Sequence, residues 1–320
     1  MRPGSVFGFV LFLLFLSARI FFIPAESAMG TNSPAEEWLF DHWATATGLK
    51  VLMFVLVLWI SWQAIKVSNR YRMNGEYMVM PGVAFVLLVS FSFTYLAWTP
   101  GMIAAALLAF YPGLLFRIKT QERADSMLFY LGLLAGLASV VYLPLASFLL
   151  LAWANMLFFR AFSVREYLLT LAGLAVPYLL LATALFWFDK LEPVLAGYGA
   201  WNISLLSWPQ NNLPLEVTAI VLTLLFVSGA LHYVTTFRHK LLDTRGHYAS
   251  LLWIILFALA LMYLDTERAA WLSWLAAVPA SFFLADFWAN SRKKKLAGIV
   301  FWLTVTAALF CQYHTFVFNN

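Results

Sequence analysis

Cysteine and charge are what this sequence has least of. One cysteine, Cys311, occurs in 320 residues, so the chain has no intrachain disulfide. Cys311 falls in the last apolar run and reads as a small, adaptable packing residue. Charged residues are 11% of the chain, and almost none lies in the middle of an apolar run. Arg19 sits near the end of the first run, within snorkelling reach of water, and Glu216, His232, Asp286 and His314 fall near run ends. Ion-coupled transporters and proton pumps thread acids, histidines or lysines through the middle of their helices, so this sparseness weighs against that class. Also missing are a Walker lysine motif, His-Glu-x-x-His, Gly-x-Ser-x-Gly, a Cys or His pair at zinc spacing and a haem-binding Cys pair. ATPase, metalloprotease and redox readings lose most of their weight with them.

What the chain has in abundance is apolar and aromatic side chains, 63% and 18% of residues, with a mean hydropathy of +0.83. No water-soluble core hides that much apolar surface, so the composition predicts a polytopic membrane protein. Hydrocarbon offers no water to unpaired backbone groups, so spanning segments are helices or a closed barrel. Runs of about 17 to 22 residues without strand alternation predict helices.

Apolar runs fall at roughly 6–23, 49–65, 77–98, 100–116, 127–142, 144–159, 167–187, 215–234, 248–264, 269–287 and 296–318. With the amino end cytoplasmic, the outer side holds only Lys50, Lys190 and Arg268, Arg19 lies within the first run, and every other Lys and Arg falls on the cytoplasmic side. That asymmetry is the positive-inside pattern. It predicts an all-α polytopic protein of about eleven spans, one integral membrane domain over 1–320, with the carboxyl end extracytoplasmic. The net charge of +5 is then a topology signal and no sign of nucleic acid. Residues 2–28 have a signal-peptide outline, a cation, an apolar run and small residues, but Arg19 comes late in the run, so a retained first span is expected. The short runs 127–142 and 144–159 meet at Tyr142-Leu143-Pro144; a hairpin that stops short of crossing and two short spans both remain open. The stretches 94–117 and 140–160 share Tyr-Leu, a helix-starting proline, an apolar helix and a closing Arg, which ordinary hairpin rules also produce.

Polar residues gather in two extracytoplasmic loops, 24–48 and 188–214. The second, with Lys190, Tyr198, Trp201, Asn202, Trp208, Gln210, Asn211 and Asn212, combines aromatics with amides. A sugar-binding surface and a helix resting at the headgroups both use that mixture. The first contains SPAEEWLFDHW, 33–43. Ser33 and Pro34 suit a helix start, and on that helix Glu37 and Asp41 share one face and Trp38 and His42 the next. Close carboxylates raise one another's pKa or hold a divalent cation, and either makes Glu36, Glu37 or Asp41 usable as a base beside the membrane. Acids at a helix amino end also satisfy the dipole with no chemistry at all. No other cofactor is indicated. In the turn 159–167, Ser163 stands three residues before Glu166, the spacing of a capping box.

Two resemblances follow from these blocks. Arg19, a membrane exit, then Glu36-Glu37-Trp38 and Trp43 ahead of a second span resemble the start of GT-C-type membrane glycosyltransferases, which take sugars from polyprenyl phosphate carriers. That resemblance implies an acid of the first outer loop as base or metal ligand, here Glu36, Glu37 or Asp41. Arg19, Lys190, Trp201, Trp208 and Arg268 are the substrate-binding candidates. Separately, GLASVVYLPLASFLLLAW and FRAFSVREYLLTLAGLAVPY, between 136 and 178, resemble a family of uncharacterised polytopic inner-membrane proteins of Gram-negative bacteria, closest over 117–190. It implies a bacterial inner-membrane location and a shared scaffold without an activity. Three functions stay in view: a GT-C-like scaffold handling a lipid-linked sugar at the outer face, a non-catalytic subunit of a larger membrane complex, and a transporter of an uncharged or lipidic substrate. The expected partners are the bilayer, a polyprenyl-linked sugar and other membrane subunits.

Overall fold

The structure is a computed structural model that describes residues 46–73, 78–91, 101–120, 124–159, 163–189, 192, 213–237, 240, 242–265, 269–291 and 294–318. The described residues are helical and contain no β-strand. In chain order the helices are α1 (Ala46–Arg70), α2 (Met80–Val89), α3 (Gly101–Leu108), α4 (Tyr111–Thr120), α5 (Asp125–Val141), a 3-10 turn (Leu143–Ser147), α6 (Phe148–Phe159), α7 (Val164–Trp187), α8 (Leu213–Thr236), α9 (Leu242–Leu264), α10 (Ala269–Asn290) and α11 (Lys294–Phe318). Five stretches are long and apolar enough to cross a membrane: Lys50–Arg70, Gly101–Lys119, Val164–Trp187, Asp243–Leu264 and Leu272–Asn290. Met80–Val89, Asp125–Val141, Leu143–Phe158 and Leu224–Thr236 are shorter apolar helical stretches. These helices give the chain the character of a membrane protein in contact with lipid.

Each apolar run from 49–65 onward contains helix, and the run at 6–23 lies outside the described residues. The run 100–116 is not one unbroken helix. Pro112 has no amide hydrogen to give back to the preceding turn, and the chain is reset at Ala109 and Phe110 between α3 and α4. Pro144 does lie in the first turn of a new element, the 3-10 turn that leads from Tyr142 into α6. At about 1.5 Å per residue the 17 residues of α5 reach roughly 26 Å, close to but under a 30 Å hydrocarbon core. Ser163 does occupy the N-cap position of α7, with extended backbone, but its side chain makes no capping hydrogen bond. The first turn is closed by backbone instead, the Glu166 amide donating to Ser163 O at 3.0 Å.

At the centre is α10, which packs against α9, α2, α8, α3, α1 and α11. Trp274, Phe282 and Phe283 are among its fully buried side chains, Phe85 of α2 meeting the Trp274 ring edge-on at 6.0 Å. From Pro81 to Val89 all of α2 is buried, as a helix apolar all round should be. At the side of the bundle α7 lies along α5. Gly132 of α5 packs beside Gly173 of α7, and Gly136 beside Leu174 and Pro177, so closely that a Cβ on Gly136 would sit 2.7 Å from Leu174 O and one on Gly132 2.8 Å from the Thr170 carbonyl carbon. Small residues let two backbones approach this way where no hydrophobic effect drives them together. One hydrogen bond braces the seam, Tyr178 OH donating to Ser139 Oγ at 2.8 Å, and a second ties α7 to α6, Trp153 Nε1 donating to Thr170 Oγ1 at 2.7 Å. The other face of α7 points outward with Leu168, Leu179, Leu180, Phe186 and Trp187 exposed.

Candidate functional site

Side-chain contacts bring the basic ends of α1 and α4 together with the start of α9 at one end of the bundle. Arg70 ends α1, Arg117 and Lys119 end α4, and Lys294 begins α11. Tyr71 joins the first two, donating from its hydroxyl to Gly113 O at 3.0 Å. Burial pushes the Tyr71 phenol above its ordinary value of 10.0, against the opposing pull of Arg70 and Arg117. Lys119 reaches across to α9, donating to Gly246 O and, at 2.8 Å, to Ser250 Oγ. Ser250 Oγ in turn donates to Asn155 Oδ1 of α6 at 2.7 Å. An Arg165–Asp125 ion pair at 2.7 Å ties the starts of α7 and α5.

Near the same end lies a buried ionic group. Asp286, 1% exposed on α10, has Lys240 Nζ 2.8 Å from its Oδ2 and receives a hydrogen bond from Asn290 Nδ2 at 2.8 Å on Oδ1. His232 Nε2 of α8 stands 3.9 Å from Oδ2, beyond hydrogen-bond reach and with no other hydrogen-bond partner. Lys240 also lies 4.4 Å over the Tyr248 ring, and Tyr233 packs on Tyr248 at 5.0 Å. The ion pair and the packing around it join α8, α10 and the residues leading into α9 at one point. At the far end of α9, Tyr142 OH donates to Asp265 Oδ2 at 2.7 Å, and both residues are buried.

Between these two polar groups lies an apolar chamber of about 350 Å³, walled by α2, α8, α9 and α10. Leu88 and Val89 close one side, Leu222 and Phe226 a second, and Ile255, Leu259 and Met262 a third. On α10, Ser273, Ala276, Ala277 and Ala280 present little more than a methyl group each, which leaves room that a leucine at any of them would fill. The chamber runs from Ser273 to Leu284, about 16 Å at helical rise, and approaches the end of α9 at Met262. Its chemistry suits a chain-like hydrocarbon and offers nothing to ionise a substrate.

No protein-family model, curated protein or solved structure matches the chain. The two resemblances therefore rest on the sequence blocks that carry them.

None of the sequence-predicted site residues falls within the described residues. Glu36, Glu37, Asp41 and Arg19 precede α1, Lys190, Trp201 and Trp208 lie between α7 and α8, and Arg268 lies just before α10. A divalent cation at Glu36, Glu37 or Asp41 lies outside them for the same reason. Among the described residues no three His, Cys, Asp or Glu side chains gather as metal ligands would. The chamber and the Asp286 group are what sequence reasoning missed. Asp286 and His232 stood out only as polar residues near run ends, and their meeting with Lys240 depends on three helices packing together. The small residues Ala276, Ala277 and Ala280 were the available signal for the chamber, within a run otherwise rich in Trp and Phe.

Proposed function

We propose that this chain is a multi-pass protein of a bacterial inner membrane that handles a lipid-linked sugar at its outer face on a GT-C-like scaffold. The observation that carries the reading is the apolar chamber between α2, α8, α9 and α10, whose length and lining suit part of an isoprenoid or acyl chain. The gathering of Arg70, Arg117, Lys119 and Lys294 at one end favours that end as cytoplasmic, with the amino end inside and eleven spans in all. On that orientation Met262 and Ser273, at the opposite end of the chamber, face the outer leaflet. Arg268 precedes Ser273 by only five residues, which favours it as a cation for the carrier phosphate. In this reading Glu36, Glu37 or Asp41 takes the proton from the acceptor hydroxyl as its oxygen attacks the anomeric carbon and the carrier phosphate leaves. Arg19 and Lys190 assist with the phosphate, and Trp201 and Trp208 stack on the sugar.

The test is release of polyprenyl phosphate from a polyprenyl-phosphate sugar by the full chain in proteoliposomes, compared with Glu36→Gln, Glu37→Gln and Asp41→Asn. Loss of turnover in at least one variant, with its fold and expression retained, supports the reading. Absence of turnover by the unaltered chain with a range of sugars, together with one stoichiometric membrane protein co-purifying in mild detergent, sinks it. That outcome favours the second reading, a non-catalytic subunit, to which the outward apolar face of α7 gives support.

A further inference from the structure

A second cleft, separate from the chamber, opens at the basic end between α1, α4 and α5. It measures about 400 Å³ and is lined by Gln63, Lys66 and Arg70 from α1, by Leu114 and Arg117 from α4 with Phe110 just before it, and by Tyr130, Leu133 and Leu134 from α5. Its polarity is graded along its length. Lys66, Arg70 and Arg117 lie at the mouth, while Phe110, just before α4, lies seven residues from Arg117, about 10 Å deeper. Leu133 and Leu134 continue the apolar wall along α5, and Tyr130 stands half exposed at the edge, so the cleft is open on the outside of the bundle. The floor is held by Tyr71, bonded to Gly113 O, and by the close approach of Val67 to Gly113, where a Cβ would meet Val67 Cγ2 at 3.2 Å. Among the described residues no carboxylate pairs with Lys66 or Arg70.

The geometry points to a binding site for one anionic phospholipid, its phosphate among Lys66, Arg70 and Arg117 and its upper acyl chain along Phe110, Leu114, Leu133 and Leu134. Three cations around one mouth attract an anionic headgroup, and the apolar slot behind them has no use for a free inorganic anion. The charge lies at the depth where helix ends meet headgroups, and the grease lies where acyl chains begin. This site requires only that the helices lie in a bilayer, so it stands or falls independently of the sugar-handling reading.

Native mass spectrometry of the full chain, offered phosphatidylglycerol or phosphatidylcholine of matched acyl chains, tests it. The expected result is one phosphatidylglycerol retained per chain, at least tenfold in preference to phosphatidylcholine. Each cation near a headgroup contributes about a fivefold factor. Lys66→Gln/Arg70→Gln/Arg117→Gln should therefore lose most of the preference, and Lys66→Glu, which reverses an exposed charge without touching packing, should weaken it on its own. Lys294→Gln/Lys295→Gln removes charge from the same end of the bundle and should leave retention unchanged. Equal retention of the two lipids, unchanged retention in Lys66→Glu, an equal loss in the Lys294/Lys295 variant, or displacement of the lipid by millimolar inorganic phosphate would each overturn the assignment.

Discussion

Replacing Gly132 by alanine adds one methyl group where two helices touch backbone to backbone. The new Cβ would overlap Thr170 O, lie 2.8 Å from the Thr170 carbonyl carbon and come within 3.0 Å of Leu174 N. None of these is the movable tip of a side chain, so relief requires α5 and α7 to separate by about 1 Å. A radial gap of about 0.5–1 Å forfeits a quarter to a half of each dispersion contact. The separation also stretches the Tyr178–Ser139 hydrogen bond, now at 2.8 Å. Overpacking of this kind costs about 1–3 kcal/mol, and the lost seam contacts place Gly132→Ala in the upper half of that range. Gly298→Ala is the built-in control, because nothing lies within 4 Å of its Cβ and alanine favours the helix by up to about 1 kcal/mol. Thermal unfolding in detergent, followed by intrinsic tryptophan fluorescence, should show Gly132→Ala several degrees below the unaltered chain and Gly298→Ala at or above it. Coincident melting of the two variants would refute the close α5–α7 crossing.

Three further outcomes follow from the polar groups. Asp286→Ala leaves the largely covered Lys240 ammonium without its carboxylate and should destabilise by about 3–5 kcal/mol, whereas Asp286→Leu combined with Lys240→Met should recover most of that in the same melting assay. Arg165→Ala breaks an ion pair whose two side chains are 76% and 45% exposed, and it should cost less than about 1 kcal/mol. Tyr71 has a folded-state pKa raised above 10.0 by burial, so its contribution is complete below the unfolded value and is lost as pH rises through the folded one. Tyr71→Phe should therefore flatten part of the decline in stability as pH rises above 10.0, measured by melting temperature against pH.

Legibility in the sequence followed the range over which each interaction acts. Local chemistry was readable. Apolar runs marked helices, Pro144 marked the turn into α6, and Ser163 marked the start of α7, though its hydroxyl makes no cap. Pro112 was also in plain view and marks the break between α3 and α4, although Gly101–Lys119 taken together is long and apolar enough to cross a membrane. What could not be read was which polar residues meet. Asp286 and Lys240 are separated by 46 positions and come together only because α8, α9 and α10 pack side by side. The same holds for Lys119 and Ser250, and for Tyr142 and Asp265, pairs that no spacing rule links. The cleft at the basic end was half visible, since its lining residues follow helical spacing, but not the fact that they face one another.

The most direct test of the central claim is photo-cross-linking of the full chain in proteoliposomes, using a polyprenyl-phosphate sugar with a photoreactive group in its isoprenoid chain. Cross-links should map to α8 around Leu222 and Phe226 and to α10 between Ser273 and Leu284, and the plugging variant Ala276→Phe/Ala280→Phe should abolish them. Cross-links confined to the outward face of α7, or unchanged by the plug, would contradict a chamber built for a lipid-linked substrate.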